Sequence, residues 1–179
     1  AAVMALALCL SLCCCKGQDK KTEDTIFAMD TYMTFTVYGK NSADVSEKCR
    51  REIQRLDALL SPDGENSQLE KINQSEQIEL SDEMAYIIKS SIELSKATDG
   101  AFDITVGALT ELWGFSGDKE YYLPSGDEIN TALKTVGYEK LSIEGNVLKK
   151  PLDTKIDVGA IAKGYATDRL FEILEKEQP

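Results

Sequence analysis

The residues best placed to do chemistry form one run near the end of the chain, Ile156-Asp157-Val158-Gly159-Ala160-Ile161-Ala162-Lys163-Gly164-Tyr165-Ala166-Thr167-Asp168. It reads as a strand that turns through small residues into a helix. Small residues let a ligand approach the backbone closely, and the free N–H groups and positive dipole of a helix start favour a phosphate. Lys163 adds a full positive charge. Asp168, four residues after Gly164 and on the side of Gly164 and Tyr165, could bond a hydroxyl or a base edge. The run is neither G-x-G-x-x-G nor a P-loop. Close helix packing accounts for its glycines as well as a ligand does.

Three further clusters carry polar or aromatic groups at turns. In Asp99-Gly100-Ala101-Phe102-Asp103-Ile104-Thr105-Val106-Gly107, Asp103 either holds a ligand or accepts backbone N–H bonds. Leu112-Trp113-Gly114-Phe115 follows, whose rings could stack on a flat ligand or simply fill the core. Phe27-Ala28-Met29-Asp30-Thr31 leads into a strand. Leu59-Leu60-Ser61 is followed by Ser67-Gln68-Leu69-Glu70-Lys71-Ile72-Asn73, in which Ser67 and Asn73 read as helix caps first and ligands second.

The elements that position these clusters follow from periodicity. Thr31–Tyr38 alternates, with Met33, Phe35 and Val37 on one face, and predicts a half-buried strand. Val45, Cys49, Ile53, Leu56 and Leu60 make one apolar stripe on a helix over 43–60. Ser67–Asn73 predicts a short helical turn. Ser81 predicts an N-cap for a helix to Ala97 that buries Met84, Ile87, Ile88 and Ile92. Residues 102–115 are apolar but irregular. A short helix over 128–135, strands over 140–143 and 147–149, a strand over 155–158 and a helix over 159–176 complete the chain. Strands interleaved with helices predict an α+β fold, a mixed sheet with helices packed on it.

Composition narrows the chemistry. The 179 residues are 42% hydrophobic and 28% charged, with 20 Lys+Arg against 31 Asp+Glu and a net charge of −11. That length suits one domain with a real core. There is no histidine, which excludes Ser–His–Asp and Cys–His catalysis and imidazole-ligated zinc. The negative charge argues against nucleic acid, whose phosphates need cations. Carboxylates suit a hard cation, or simply a solvated surface.

Four of the five cysteines fall in Ala1–Cys15, AAVMALALCLSLCCC, an apolar run too short to span a bilayer. Residues 1–15 read as a secretory lipoprotein signal, with Cys15 the expected lipidation site, then Cys14 and Cys13, and residues 16–25 a polar tether; a signal cleaved without lipidation and a metal-binding Cys-Cys-Cys are the competing readings. The product would be lipid-anchored at the cell membrane on its extracytoplasmic side. Cys49 alone follows the run and, by its helical spacing, belongs to the core.

Taken together, Phe27–Thr31, Leu59–Asn73, Gly100–Phe115 and Asp157–Asp168 resemble, in order and spacing, the FAD:protein FMN transferase family (ApbE-type flavin transferases), over essentially everything after Thr25. The resemblance implies a T-fold-like domain over 26–179 that binds FAD and Mg²⁺. It implies transfer of FMN to a threonine hydroxyl of an acceptor flavoprotein, with release of AMP. The acceptors implied are subunits of membrane redox complexes. Carried over by motif, the Ala162 carbonyl is the implied metal ligand, and Lys163 and Asp168 contact the FAD phosphates or adenosine. Met29 lines the flavin pocket, Asp103 lies beside the same cleft, and Ser61–Glu65 borders the isoalloxazine. Pro62-Asp63-Gly64 stands where many relatives have an aromatic residue, so Tyr121 and Tyr122 become candidate stacking partners. No catalytic group is implied within the chain. Family members continue into a His-Ile segment and an Ala-Leu-Ser/Thr-Thr segment with side-chain metal ligands. The expectation is therefore an N-terminal portion of the catalytic domain, weak in FAD and Mg²⁺ binding on its own. Two readings compete with transfer: Mg²⁺-dependent hydrolysis of FAD to FMN and AMP, and a non-catalytic flavin-binding lipoprotein.

Overall fold

The computed structural model describes residues 20–62, 64, 67–115 and 123–177. Lipidation at Cys15, residues 16–19 of the tether, and Tyr121 and Tyr122 lie outside the described residues. The chain opens with an antiparallel hairpin, β1 (Lys21–Ala28) and β2 (Thr31–Tyr38), paired from Lys21↔Tyr38 to Ala28↔Thr31. β1 replaces residues 21–25 of the expected tether. Its charges disguise a regular alternation in which Thr22, Asp24, Ile26 and Ala28 turn inward. The inward Asp24 is tolerable because Arg50 binds it, Nε donating to Oδ2 at 2.7 Å.

Helix α1 (Ser42–Leu60) lies across the hairpin and buries the predicted stripe of Val45, Cys49, Ile53, Leu56 and Leu60. Ile26, Ala28 and Ile53 form one apolar cluster there, and Val37, Val45 and Cys49 another. Burial pushes the Cys49 thiol pKa up, as expected of an inert core cysteine. Helix α2 (Gln68–Asn73) follows, then β3 (Gln77–Glu79) and α3 (Asp82–Ala97), whose Ser81 cap accepts from the Met84 N–H. The irregular stretch resolves into a 3₁₀ turn, Ile104–Val106, and α4 (Gly107–Leu112). Helix α5 (Gly126–Leu133) carries a full capping box between Ser125 and Glu128. A 3₁₀ turn at Tyr138–Lys140 precedes β4 (Ser142–Glu144), β5 (Val147–Lys149) and the long α6 (Gly159–Glu177).

The class is α+β. Where the pattern predicts one mixed sheet, the described strands form two small antiparallel ones, β1-β2 and β3-β5-β4. The short β3 has no period to read. It exists because Gln77–Glu79 pairs with β5, Ile78 opposite Leu148. The main core lies between this sheet and the helices, with Leu69, Ile72, Met84, Ile87, Ile88, Ile104, Leu148, Ile156 and Val158 almost wholly buried. Among the described residues no helix is long and apolar enough to cross a membrane.

Helices α1, α3 and α6 are tied by charge. Arg55 donates two bonds to each of Glu52 and Glu83, at 2.7–2.9 Å. Arg169 reaches Glu52, and the Tyr165 hydroxyl donates to Glu83 at 2.8 Å. The Arg55 guanidinium, through its hydrogen bonds, holds the Glu52 and Glu83 carboxyls below their usual range. Burial, with Glu83 beside it, raises the Tyr165 phenol. A carboxyl lowered by folding stabilises the fold above its unfolded value, about 4.3, and loses that contribution as pH falls through the folded value. Arg55→Met is therefore expected to cost about 1 kcal/mol at neutral pH. It should also flatten the acid limb of the stability–pH curve. Urea unfolding across that range checks both, and an unchanged acid limb would contradict the assignment.

Candidate functional site

The lead-in to α6 is extended, yet it is not a strand as its sequence predicts. Residues 155–158 have a side chain for a partner. Asn73 accepts the Ile156 N–H at Oδ1 (2.7 Å) and donates from Nδ2 to the Ile156 carbonyl (2.9 Å), the two bonds a neighbouring strand would have made. Lys155 Nζ donates to the Asn73 carbonyl, and the Asp157 N–H to the Ile104 carbonyl. Asn73 is thus a clamp rather than a cap. Ser67 is the cap expected, accepting from the Leu69 and Glu70 N–H groups and donating to the Leu59 carbonyl. Gly107 lies directly on the same segment: a Cβ there would stand 2.8 Å from the Lys155 backbone. Only glycine permits that approach.

At the start of α6 the Asp157 carboxylate accepts the Gly159 N–H at 2.7 Å. The helix start is therefore already capped by a carboxylate. Lys163, one turn in, is the cation of this neighbourhood.

The opposite wall is the β1–β2 turn. Met29 and Asp30 have φ of +50° and +56°, the left-handed pair that a two-residue hairpin turn of right-handed twist requires. Asp visits this region readily and Met does not. The Met29 N–H is held by Asp57 Oδ1 at 2.8 Å.

Between these walls is a cavity of ≈ 210 Å³. Met29, Leu60, Leu69, Phe115 and Val158 give it an apolar side, and Asp30, Asp57, Ser61, Asp157 and Lys163 a polar one. It is smaller than the roughly 300–1,000 Å³ of sites that enclose a drug-sized ligand. It suits one flat ring system rather than a whole dinucleotide.

The structure brings Met29, Ala162 and Lys163 together on this cavity, with Ser61 and Pro62 of the expected loop at its edge. It does not bring Asp103 or Asp168 there. Asp103, expected beside the cleft, lines neither described cavity. Its Oδ1 accepts from the Thr105 N–H and Oγ1, and its Oδ2 from the Tyr138 N–H at 2.9 Å. It braces the 3₁₀ turn against residues 137–138. Asp168 is on the other face of α6, in a second hollow of ≈ 240 Å³ with Tyr86, Tyr165 and Ser90. Trp113 is half-buried outside the cavity, whereas Phe115 reaches it. Asp57 was not among the expected residues. Its signal is an acid in the last turn of a helix, where the dipole disfavours negative charge and α1 has no basic residue.

For a metal the described residues fall short. No three Asp, Glu, Cys or His side chains among them converge. Ala162 offers a single backbone oxygen, directed along the axis of α6 into its hydrogen-bond ladder. These residues alone do not fit a divalent ion.

Comparison with known proteins finds relatives over nearly the whole chain. The ApbE family model matches residues 29–178. The FAD:protein FMN transferase of Escherichia coli (strain K12) is 32% identical over 98% of this chain and 55% of its own length. That of Haemophilus influenzae is 30% identical over 97% and 55%. The crystal structure of the ApbE protein from Thermotoga maritima superposes with a TM-score of 0.83 at 36% identity, covering 87% of this chain and 53% of that one. The flavin transferase ApbE from Vibrio cholerae gives 0.80 at 28%, covering 88% and 54%. The chain spans about half the length of the curated relatives it matches.

The clamp makes a direct prediction. Asn73→Ala removes both bonds to the buried Ile156 backbone and is expected to cost about 2–3 kcal/mol. The urea midpoint should fall with an unchanged slope. Amide exchange at Ile156 should rise.

Proposed function

The chain belongs to the ApbE family, and from that premise we propose that it is part of an enzyme that transfers FMN from FAD to a threonine hydroxyl of an acceptor flavoprotein and releases AMP. The observation that carries this reading is the meeting of Met29, Lys163 and Ala162 on one cavity, from two motifs more than 130 residues apart in sequence. The apolar side, Met29, Leu60, Leu69 and Phe115, suits the flat face of an isoalloxazine and shields it from water. Lys163 supplies a cation for a phosphate, and Asp157 and Ser61 supply polar groups for ring or ribose edges.

The reaction forms a bond between the threonine oxygen and the FMN phosphorus and breaks the pyrophosphate bridge, with AMP as the leaving group. A magnesium ion, if bound, would supply charge neutralisation at the phosphate oxygens. Among the described residues no three carboxylate, thiol or imidazole side chains converge to hold it. The residues on this cavity contribute by binding and orienting FAD. We place the enzyme on the extracytoplasmic face of the cell membrane, anchored by acylation of Cys15. There its acceptors would be flavoprotein subunits of membrane redox complexes.

The test is incubation of the complete enzyme with FAD, Mg²⁺ and an acceptor flavoprotein, followed by in-gel flavin fluorescence and AMP assay. A fluorescent acceptor band with AMP in equal amount is expected. Free FMN with an unlabelled acceptor would refute transfer. Lys163→Ala is expected to raise KM for FAD roughly tenfold, the loss of one charged hydrogen bond.

A further inference from the structure

We infer that Asp57 is the positioning residue of the flavin cavity, the joint from which two of its walls hang. The inference rests on the proposed function and adds a residue that neither motif contains. Asp57 closes the last turn of α1 and lines the cavity. Its side chain accepts the Met29 N–H, which fixes the hairpin turn. Its carbonyl accepts the Ser61 N–H at 3.0 Å, which fixes the departure of the loop that carries Ser61 and Pro62. Both segments line the cavity on either side of Asp57 itself.

Helix stability does not explain an aspartate here. A carboxylate in the last turn of a 19-residue helix meets the negative end of the dipole, with no basic residue in that turn to offset it. Turn propensity does not explain Met29 either. A methionine at φ +50° is strained, while a glycine would not be. Two locally unfavourable choices meet in one hydrogen bond at the lip of a cavity. Such strain persists only where the surroundings over-determine it, and it concentrates at ligand clamps. The Asp57–Met29 bond presents the methionine side chain to the ring site; half-buried, Met29 also packs against the main core. Without the bond the turn relaxes and Met29 loses its fixed place.

The experiment compares wild type, Asp57→Ala and Asp57→Asn. Three measurements are made on each: FAD affinity by flavin fluorescence quenching, amide exchange at Met29, and Tm. Asp57→Ala is expected to weaken FAD binding roughly tenfold and to free the Met29 amide. Asn keeps an oxygen that can accept the same N–H. Asp57→Asn is therefore expected to restore affinity and Met29 protection, with Tm equal to or above wild type because the charge at the helix end is gone. Wild-type affinity in Asp57→Ala overturns the positioning role. So do equal losses of affinity and Tm in both variants, which would mark a general structural role. A wild-type protein that does not bind FAD overturns the proposed function instead. In that case Met29 exchange alone decides for Asp57: protection in wild type and Asp57→Asn but not in Asp57→Ala supports the joint, and no difference among the three overturns it.

Discussion

One side chain bridges 83 residues of sequence and sets the geometry of the wall of the cavity that α6 supplies. Asn73, at the end of α2, replaces a β-strand for Ile156 by supplying both a donor and an acceptor. Ile156 and Val158 are then buried to 1–2% exposure, which aims Asp157 between them at the start of α6. Backbone groups in so buried a segment must be paired somewhere. Were Asn73 absent, the lead-in would have to find water or another strand, and the start of α6 would move with it. Gly107 completes the constraint from the other side, because nothing larger fits against Lys155.

Helix α6 turns that constraint into two distinct surfaces. Gly159, Ala162 and Lys163 look into the ring-sized cavity, while Ala160, Ile161, Gly164, Tyr165 and Asp168 look towards α3. The second surface is where Tyr165 bonds Glu83, itself gripped by Arg55 of α1. The rotation of α6 about its axis is thereby fixed by a hydrogen bond on one face, leaving Lys163 free of structural duty on the other. Partly exposed ion pairs contribute little one at a time, and their effect here comes from linking three helices in one network.

Legibility from sequence followed physical periodicity. The stripe of α1, the alternation of β2 and the Ser81 and Ser67 caps could be read because each is a local rule obeyed locally. β1 was hidden because its inward positions include Thr22 and Asp24, and the Arg50 that makes Asp24 acceptable lies 26 residues away. β3 has three residues and no pattern of its own. Residues 155–158 carry a strand's pattern without a strand's partner. The Gly-Ala-Phe-Asp-Ile-Thr motif reads as a ligand site or as a loop brace, because a carboxylate and a hydroxyl stand together. Their bonds turn inward, Thr105 accepting the Gly137 N–H and Asp103 the Tyr138 N–H, so the motif secures a distant loop. A residue's type shows what it can bond, and only its surroundings show what it does bond.

Backbone strain is unevenly distributed over the described residues. Left-handed conformations at Gly100, Gly137 and Gly145 stand where a glycine adopts them without cost. Asp99 takes it at the end of α3, and Met29 and Asp30 stand side by side in it without glycine at a turn that borders the cavity. A hairpin selected for stability alone would carry Asn-Gly there. The carboxylate at the wrong end of α1 is spent on the same turn. Local preference and local structure therefore disagree twice within a few ångströms. Agreement between levels marks a scaffold, and concentrated disagreement marks the place where a sequence answers to something besides its own folding.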